Sequence, residues 1–252
     1  GRYILMPDPE DRPEDMDQVA SMTKHVLGTH MQGDLDPANA TAMGALRAIE
    51  VAVRHKLDRA DLAGLRVSVM GLGPSGYRLA EHLRLHGAKV VVADRDPERT
   101  ERAVRELGIA CVATEEIVHL DADIFSPCVS KDVIDDDRIA HLRCSIIAGT
   151  GDDLLRSPAH GLELHERGIL YAPDFITAAG GMISLVAPLD RADLDDRHLE
   201  GAIKAIGDRL QSVFDRAASE NRATSAIADE QLQQHLAERA ATPHAESFAL
   251  TG

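Results

Sequence analysis

Six short apolar runs alternate with longer amphipathic stretches between residues 66 and 173, and this alternation limits what the chain can fold into. The runs are RVSVMG (66–71), AKVVVAD (88–94), IACVA (109–113), ADIFSP (122–127), CSIIAG (144–149) and GILYAP (168–173). Strands that alternate with helices predict βαβ units, a parallel sheet and helices on both of its faces. We therefore predict an α/β fold with a doubly wound (Rossmann) parallel sheet.

Helices are predicted before and after this region. The stretch 13–28 starts at Pro13 with acidic residues close by and ends on Gly28, as helices commonly do. The stretches 36–57 and 199–219 carry apolar residues three and four positions apart. In the second of these, one face is formed by Ile206, Leu210, Val213 and Phe214.

The glycine-rich segment GLGPSG, residues 71–76, joins the first predicted strand to a helix. Gly71 permits a tight turn, Gly73 lets a diphosphate approach the backbone, and Gly76 allows the helix to pack closely. Together with Leu72, Pro74 and Ser75, these glycines form the predicted cofactor-binding loop. A ligand-free turn, a methyltransferase or a flavoprotein would also fit the loop alone. None of the three tyrosines has a lysine four residues later, so the Tyr-x-x-x-Lys pair of short-chain dehydrogenases is absent.

The second predicted strand ends in Asp94, where an acid accepts the ribose hydroxyls of NAD and repels the 2′-phosphate of NADP. Arg95 follows directly, and its guanidinium could accommodate a 2′-phosphate. NAD is the predicted cofactor.

Charge, cysteines and histidines argue against several other classes of function. A net charge of −15 disfavours nucleic acid and anionic membranes, and no apolar run is long enough to span a bilayer. Three separated cysteines predict neither a disulfide framework nor a zinc site and favour a reducing, cytoplasmic compartment. The pair His82 and His86 has helical spacing but no third ligand, so both are expected to be exposed helix residues and no metal site is predicted.

Several long motifs resemble one family over almost the whole chain. They are GRYI followed by Asp8, ATAMG (40–44), GLGPSGYRLAEHL (71–83), GAKVVVAD (87–94), ADIFSPC (122–128), IIAGTGD (146–152) and residues 160–181. Together they resemble the later part of the Glu/Leu/Phe/Val dehydrogenases, and leucine and phenylalanine dehydrogenases most of all. The resemblance implies that NAD accepts a hydride from an L-amino acid, which becomes a 2-oxo acid and ammonia.

The resemblance also implies a division of the chain. Residues 1–36 would be a remnant of the substrate and catalytic domain with a helix, 37–190 the dinucleotide-binding domain, and 191–252 helices that pack back toward the substrate domain. The resemblance further implies a homo-oligomer, or a partner chain that supplies the catalytic lysines that this sequence lacks.

The same resemblance assigns site residues. Asp8 would handle protons at the substrate amine, although it lies among other acids and a solvated loop acid is the alternative. Thr41 would reach the nicotinamide amide, or its hydroxyl would accept from backbone N–H groups at a helix start. The remaining cofactor positions are Cys128, Gly149 and Asp153, and the substrate pocket would be lined by Met6, Ala178, Met182 and Leu185. Cys128 and the methionines would equally suit small or adaptable core positions.

Two features depart from the family pattern. The family's catalytic lysines lie upstream of where this sequence starts, and none of Lys24, Lys56, Lys89, Lys131 and Lys204 follows consecutive glycines. Asp153 and Ala178 stand where the family commonly has asparagine, and Ala178 cannot form a side-chain hydrogen bond. Two interpretations follow: an amino acid dehydrogenase whose lysines were truncated or lie on another chain, as the start at Gly1 suggests, or a catalytically incomplete dinucleotide-binding homologue.

Overall fold

The computed structural model describes residues 3–7, 12–29, 36–190 and 196–241. Within them, six parallel strands form one sheet in the order β3-β2-β1-β4-β5-β6. The strands are β1 (Arg66–Met70), β2 (Lys89–Ala93), β3 (Ala110–Cys111), β4 (Ile124–Pro127), β5 (Ile146–Ile147) and β6 (Leu170–Tyr171). This is the strand order of a doubly wound dinucleotide-binding sheet, so the predicted fold class is confirmed.

The central strands β1, β4 and β5 are almost entirely buried because helices cover the sheet from two sides, whereas the edge strand β3 is exposed. Val67 and Val69 point into one apolar core, and Met70 points into another. The same alternation separates Ile124 from Phe125 on β4, next to β1 in the sheet. A strand covered on both faces has no polar side, which explains why the sequence shows near-continuous apolar runs here.

Ten helices lie in the described part of the chain. They are α1 (Pro13–Ala20), α2 (Pro37–Leu57), α3 (Pro74–Leu85), α4 (Pro97–Leu107), α5 (Asp136–His141), α6 (Pro158–Glu166), α7 (Asp174–Thr177), α8 (Ala179–Asp190), α9 (Asp196–Glu220) and α10 (Thr224–Ala241), and a 3-10 turn lies at Ile117–His119. The predicted apolar face of α9 is confirmed, since its four predicted residues are all buried.

The first predicted helix was wrong in its length, because α1 ends at Ala20 and not near Gly28. Residues 25–27 are extended and form a parallel bridge between Val26 and Leu5. Leu5 N–H donates to the His25 carbonyl at 2.9 Å, and Leu27 N–H donates to the Leu5 carbonyl at 2.8 Å. Backbone pairing with a distant segment thus replaces the helical hydrogen bonds that local composition favoured.

Helix α2 is the long element that joins the sheet to the C-terminal helices. Asp36 caps it by accepting from the Asn39 N–H at 2.8 Å. Its buried face shares one apolar core with β1 and with α9. Close packing against α8 depends on small residues, since a Cβ on Gly180 would lie 2.0 Å from the Ala40 carbonyl oxygen.

Candidate functional site

The candidate site lies at the carboxyl ends of β1 and β4, where the strand order reverses. Ligands of open α/β sheets bind in the crevice at such a switch point. Gly71 begins the loop after β1 with φ +101°, and its N–H donates to the Ala93 carbonyl at 2.8 Å. A Cβ at Gly71 would lie 2.7 Å from the Cys128 carbonyl oxygen, so both the backbone conformation and the space require glycine.

The other two loop glycines have opposite surroundings. A Cβ on Gly76 would lie 2.2 Å from the Gly71 carbonyl oxygen, so Gly76 lets α3 pack closely on the end of β1. A Cβ on Gly73 would meet only an Arg99 nitrogen at 3.9 Å, so this side of the loop is open. Pro74 and Ser75 form the first turn of α3, where unpaired N–H groups and the helix dipole favour an anion.

Asp94 at the end of β2 is tied to the loop by its carboxylate. One oxygen accepts from the Leu72 N–H at 2.5 Å, and the other accepts from the Asp96 N–H at 2.8 Å. The side chain is 10% exposed. These bonds fix the carboxylate beside the glycine-rich loop and leave its remaining lone pairs free to accept further hydrogen bonds.

Arg99, not Arg95, is the arginine that lies beside Asp94. The Arg99 Nη1 is 4.0 Å from an Asp94 carboxylate oxygen, whereas Arg95 has an exposed side chain with no such ion pair among the described residues. Arg95 lies near Glu115, whose pKa is lowered first by hydrogen bonds from its own backbone and Thr114 and further by the Arg95 charge. Arg95 is adjacent to Asp94 in the sequence, but the guanidinium that lies beside the Asp94 carboxylate is that of Arg99, in the first turn of α4.

Cys128 and Gly149 continue the site along the ends of β4 and β5. Cys128 N–H donates to the Met70 carbonyl at 2.7 Å, while its thiol donates to the Ser126 carbonyl with an S···O distance of 3.7 Å. Burial raises the pKa of the Cys128 thiol, so it is a neutral group. A Cβ on Gly149 would lie 2.1 Å from the Pro127 carbonyl oxygen. The absence of a side chain at Gly149 therefore lets these two strand ends come into direct contact.

Thr177 was missed by sequence reasoning. It is fully buried, and its hydroxyl lies 2.9 Å from the Gly149 carbonyl oxygen and 3.1 Å from the Asp174 carbonyl oxygen. A Cβ on Gly44 of α2 would lie 3.1 Å from the Thr177 carbonyl oxygen. Thr177 therefore links the loop after β5 to α7 and to α2, and only its position in the FIT segment next to the glycine pair could have suggested it.

Thr41 packs against the start of α8. Its hydroxyl donates to the Pro37 carbonyl at 2.8 Å, and its Oγ1 lies 2.4 Å from where a Cβ on Gly181 would stand. Because the hydroxyl proton is bound to a carbonyl, the free lone pairs of Oγ1 can accept from an amide N–H. The alternative for this residue requires that the hydroxyl accept from a backbone N–H, and no such hydrogen bond exists among the described residues.

Asp153 lies in the exposed loop after β5 with φ +50°, a conformation that Asp and Asn tolerate better than most residues. Its carbonyl accepts from the Asp132 N–H at 2.9 Å. The neighbouring Leu154 N–H donates to the Asp174 carboxylate at 2.7 Å. Asp174, a second residue missed by the sequence reasoning, thus fixes this loop against α7.

The predicted substrate-pocket residues have mixed exposure. Met182 is 50% exposed, Leu185 is 7% exposed, and Ala178 is half-buried at the end of α7. Met6 is exposed in the segment that pairs with Val26. Asp8, the predicted catalytic acid, lies outside the described residues.

The lysines are scattered. Lys89 begins β2, at the edge of the sheet opposite the glycine-rich loop, and Lys56 lies at the C-terminal end of α2. Lys131 is exposed, three residues after Cys128, and Lys24 and Lys204 are exposed elsewhere.

Histidines do not cluster with other metal ligands in the described part of the chain, where no group of three His, Cys, Asp or Glu could hold a metal. His82 is half-buried and its Nε2 lies 2.9 Å from the Asn39 amide oxygen, so our expectation of an exposed residue was wrong. Burial lowers the pKa of His82. His160 is buried, accepts from the Ser157 N–H at 3.1 Å and contacts the Asp136 carboxylate at 3.1 Å.

A cavity of about 350 Å³ is lined by none of the residues of the glycine-rich loop and by none of the other predicted site residues. His55 and Lys56 from the end of α2 and Phe214 and Arg222 form part of its wall. The candidate site is thus identified by its backbone geometry and its charges.

In the described helices, no stretch is both long and apolar enough to cross a membrane.

Comparisons with known proteins agree with this geometry. Residues 98–191 match the family described as Glutamate/Leucine/Phenylalanine/Valine dehydrogenase. The chain is 34% identical to leucine dehydrogenase of Geobacillus stearothermophilus over 94% of this chain and 64% of that protein. It is 30% identical to valine dehydrogenase of Streptomyces virginiae over 94% of this chain and 67% of that protein.

Among solved structures, L-tryptophan dehydrogenase from Nostoc punctiforme superimposes with a TM-score of 0.82 at 30% identity. The match covers 96% of this chain and 70% of that one. The chain thus spans roughly two thirds of the length of these relatives.

Proposed function

Because this chain belongs to the glutamate/leucine/phenylalanine/valine dehydrogenase family, we propose that it binds NAD and takes part in the oxidative deamination of a hydrophobic L-amino acid. The products are a 2-oxo acid and ammonia. The observation that carries the proposal is the open side of the loop at Gly73, next to the fixed carboxylate of Asp94.

The residues at this edge fit a dinucleotide. The diphosphate would lie over Gly73 and the first-turn N–H groups of α3, and Asp94 would accept from the adenosine ribose. Backbone groups at Cys128 and Gly149 would border the nicotinamide half, with Asp153 near its ribose. When bound, NAD supplies the acceptor for the substrate hydride.

Thr41 would orient the nicotinamide by accepting from its carboxamide N–H with the lone pairs that its bond to Pro37 leaves free. The amino acid would lie beyond it, against Ala178, Met182 and Leu185, with Met6 completing an apolar pocket. Asp8 would take the proton from the substrate amine. A lysine that activates water and one that pairs the substrate carboxylate would come from another segment or a partner chain in an oligomer. Domain boundaries at residues 36 and 190 belong to the same proposal.

A second candidate function is a dinucleotide-binding subunit that does not deaminate. Ala178 favours it, because an alanine offers no hydrogen bond to substrate or nicotinamide at the end of α7. The charge of Asp153 at the predicted ribose position favours it as well.

The two candidates are separated by turnover. The 252-residue chain is incubated with NAD and a panel of aliphatic and aromatic L-amino acids, and absorbance at 340 nm is followed while calorimetry measures NAD binding. Reduction with any amino acid supports the dehydrogenase and rules out the inactive subunit. NAD binding without turnover supports the second candidate or an active site completed by another chain, and absence of NAD binding contradicts both.

A further inference from the structure

Arg99 occupies a place between the predicted ribose acceptor and the glycine-rich loop. It lies in the first turn of α4, three residues after the N-cap Asp96. Its Nη1 is 4.0 Å from the Asp94 carboxylate, and its Nε is 3.4 Å from the Asp96 carboxylate. The same Nη1 lies 3.9 Å from where a Cβ on Gly73 would stand. The guanidinium therefore borders the space left open by Gly73.

The Nη donors of Arg99 remain available for a ligand, whereas its Nε faces the Asp96 carboxylate. The side chain is 47% exposed, and the structure contains no hydrogen bond between it and another described residue. A guanidinium has five N–H donors in a planar fork, which suits phosphate oxygens. A cation in the first turn of a helix also opposes the helix dipole, so helix stability does not explain its presence there.

The charges around Asp94 do not exclude a 2′-phosphate on the adenosine ribose. In the segment 94–99, the negative charges of Asp94 and Asp96 are balanced by the positive charges of Arg95 and Arg99. Glu98 is the one charge of this segment that is left unbalanced. Asp94 is engaged with two backbone N–H groups, which stabilise its charge on the side of the loop. Arg99 thus offsets the repulsion that an acid at this position exerts on a 2′-phosphate.

Helix α4 is held in place independently of Arg99. The Tyr77 hydroxyl of α3 donates to the Glu106 carboxylate at 2.7 Å, and Arg102 Nε donates to the same carboxylate at 2.9 Å. The Arg102 guanidinium lies 4.2 Å from the centre of the Tyr77 ring. Replacing Arg99 therefore changes the charge at the loop while α4 keeps its anchor.

We propose that Arg99 is a specificity-determining residue that binds a phosphate on the adenosine ribose, so that the chain accepts NADP as well as NAD. This inference rests on the proposed dinucleotide function and extends it to a second cofactor.

The test is calorimetric titration of the full chain with NAD and NADP, and with 5′-AMP and 2′,5′-ADP as probes of the adenosine half. Arg99→Ala should weaken NADP and 2′,5′-ADP about ten- to a hundredfold, since charge-assisted hydrogen bonds are lost, and should change NAD and 5′-AMP less than about threefold. Arg99→Lys keeps the charge without the fork and should fall between. Arg105→Ala, which removes an exposed arginine from the same helix, controls for net charge and should leave the NADP-to-NAD ratio unchanged.

The outcomes are distinguishable. Selective loss of NADP in Arg99→Ala supports the proposal. Equal weakening of NAD and NADP would place Arg99 on the diphosphate and overturn it, as would selective loss of NADP in Arg95→Ala but not in Arg99→Ala. A chain that binds NAD without measurable NADP binding overturns this inference alone. A chain that binds neither contradicts the proposed function itself.

Discussion

Substitution of two glycines of the glycine-rich loop, Gly73 and Gly76, separates a binding role from a packing role. Gly73→Ala places a methyl group where the protein offers open space, because the nearest atom is 3.9 Å away and φ is −59°. Gly73 is the N-cap of α3, where alanine is poorer than glycine, so the folded state should lose no more than about 1 kcal/mol. The methyl carbon extends about 1.5 Å from the backbone into the path proposed for the diphosphate, where optimal contacts need about 3.5 Å. We expect the NAD dissociation constant to rise at least tenfold, or about 1.4 kcal/mol.

Gly76→Ala is the matched comparison. Its Cβ would lie 2.2 Å from the Gly71 carbonyl oxygen and 2.9 Å from the Cys128 Cβ, so the backbone must shift. Overpacking of this kind costs about 1–3 kcal/mol, more than the roughly 1 kcal/mol that alanine gains over glycine within a helix. Urea unfolding and calorimetric NAD titration of both variants measure the two effects. If Gly73→Ala binds NAD as tightly as the unmodified chain, the diphosphate does not pass over Gly73 and the reasoning is wrong.

Three further predictions concern buried and titrating groups. Thr177→Val leaves a buried carbonyl without its hydroxyl donor and should lower the free energy of unfolding by about 1–3 kcal/mol in urea; an unchanged value would contradict the linking role of this hydroxyl. Hydrogen bonds from Tyr77 and a neighbouring arginine hold the pKa of Glu106 at about 2 instead of 4.5, so its stabilisation is present above about pH 4.5 and is lost as the pH falls toward 2. Glu106→Gln should therefore show a smaller change in urea midpoint between pH 5 and pH 2.5 than the unmodified chain does, and an identical change would refute the assignment. Iodoacetamide at pH 8 followed by peptide mass spectrometry should label the exposed Cys111 before Cys128, whose pKa is raised by burial, and equal labelling rates would contradict the burial of that thiol.

Most of the fold could be predicted because its signals are local. The apolar runs and the intervening amphipathic stretches each lie within about a dozen residues, and a right-handed crossover then restricts the topology. The loop 71–76 was predictable for the same reason, since one strand, three glycines and one helix are adjacent in the chain. Asp94 followed from its position at the end of the next strand.

The remainder depends on contacts between distant residues. The end of α1 is determined by pairing of residues 25–27 with Leu5, which composition does not encode. Arg99 lies beside Asp94 because of the rotation of α4, and adjacency in sequence, which suggested Arg95, does not indicate this contact. Thr177 bonds across to the loop after β5, and a single threonine carries no local pattern that would indicate this.

A crystal structure of the full chain grown with NAD shows whether the dinucleotide binds at this edge of the sheet. We expect density for the diphosphate over Gly73 at the first turn of α3 and for the adenosine ribose at the Asp94 carboxylate, with the nicotinamide directed toward Thr41. Density for the nucleotide elsewhere, such as the cavity lined by His55 and Phe214, would contradict the proposed function. So would an empty carboxyl edge at saturating NAD.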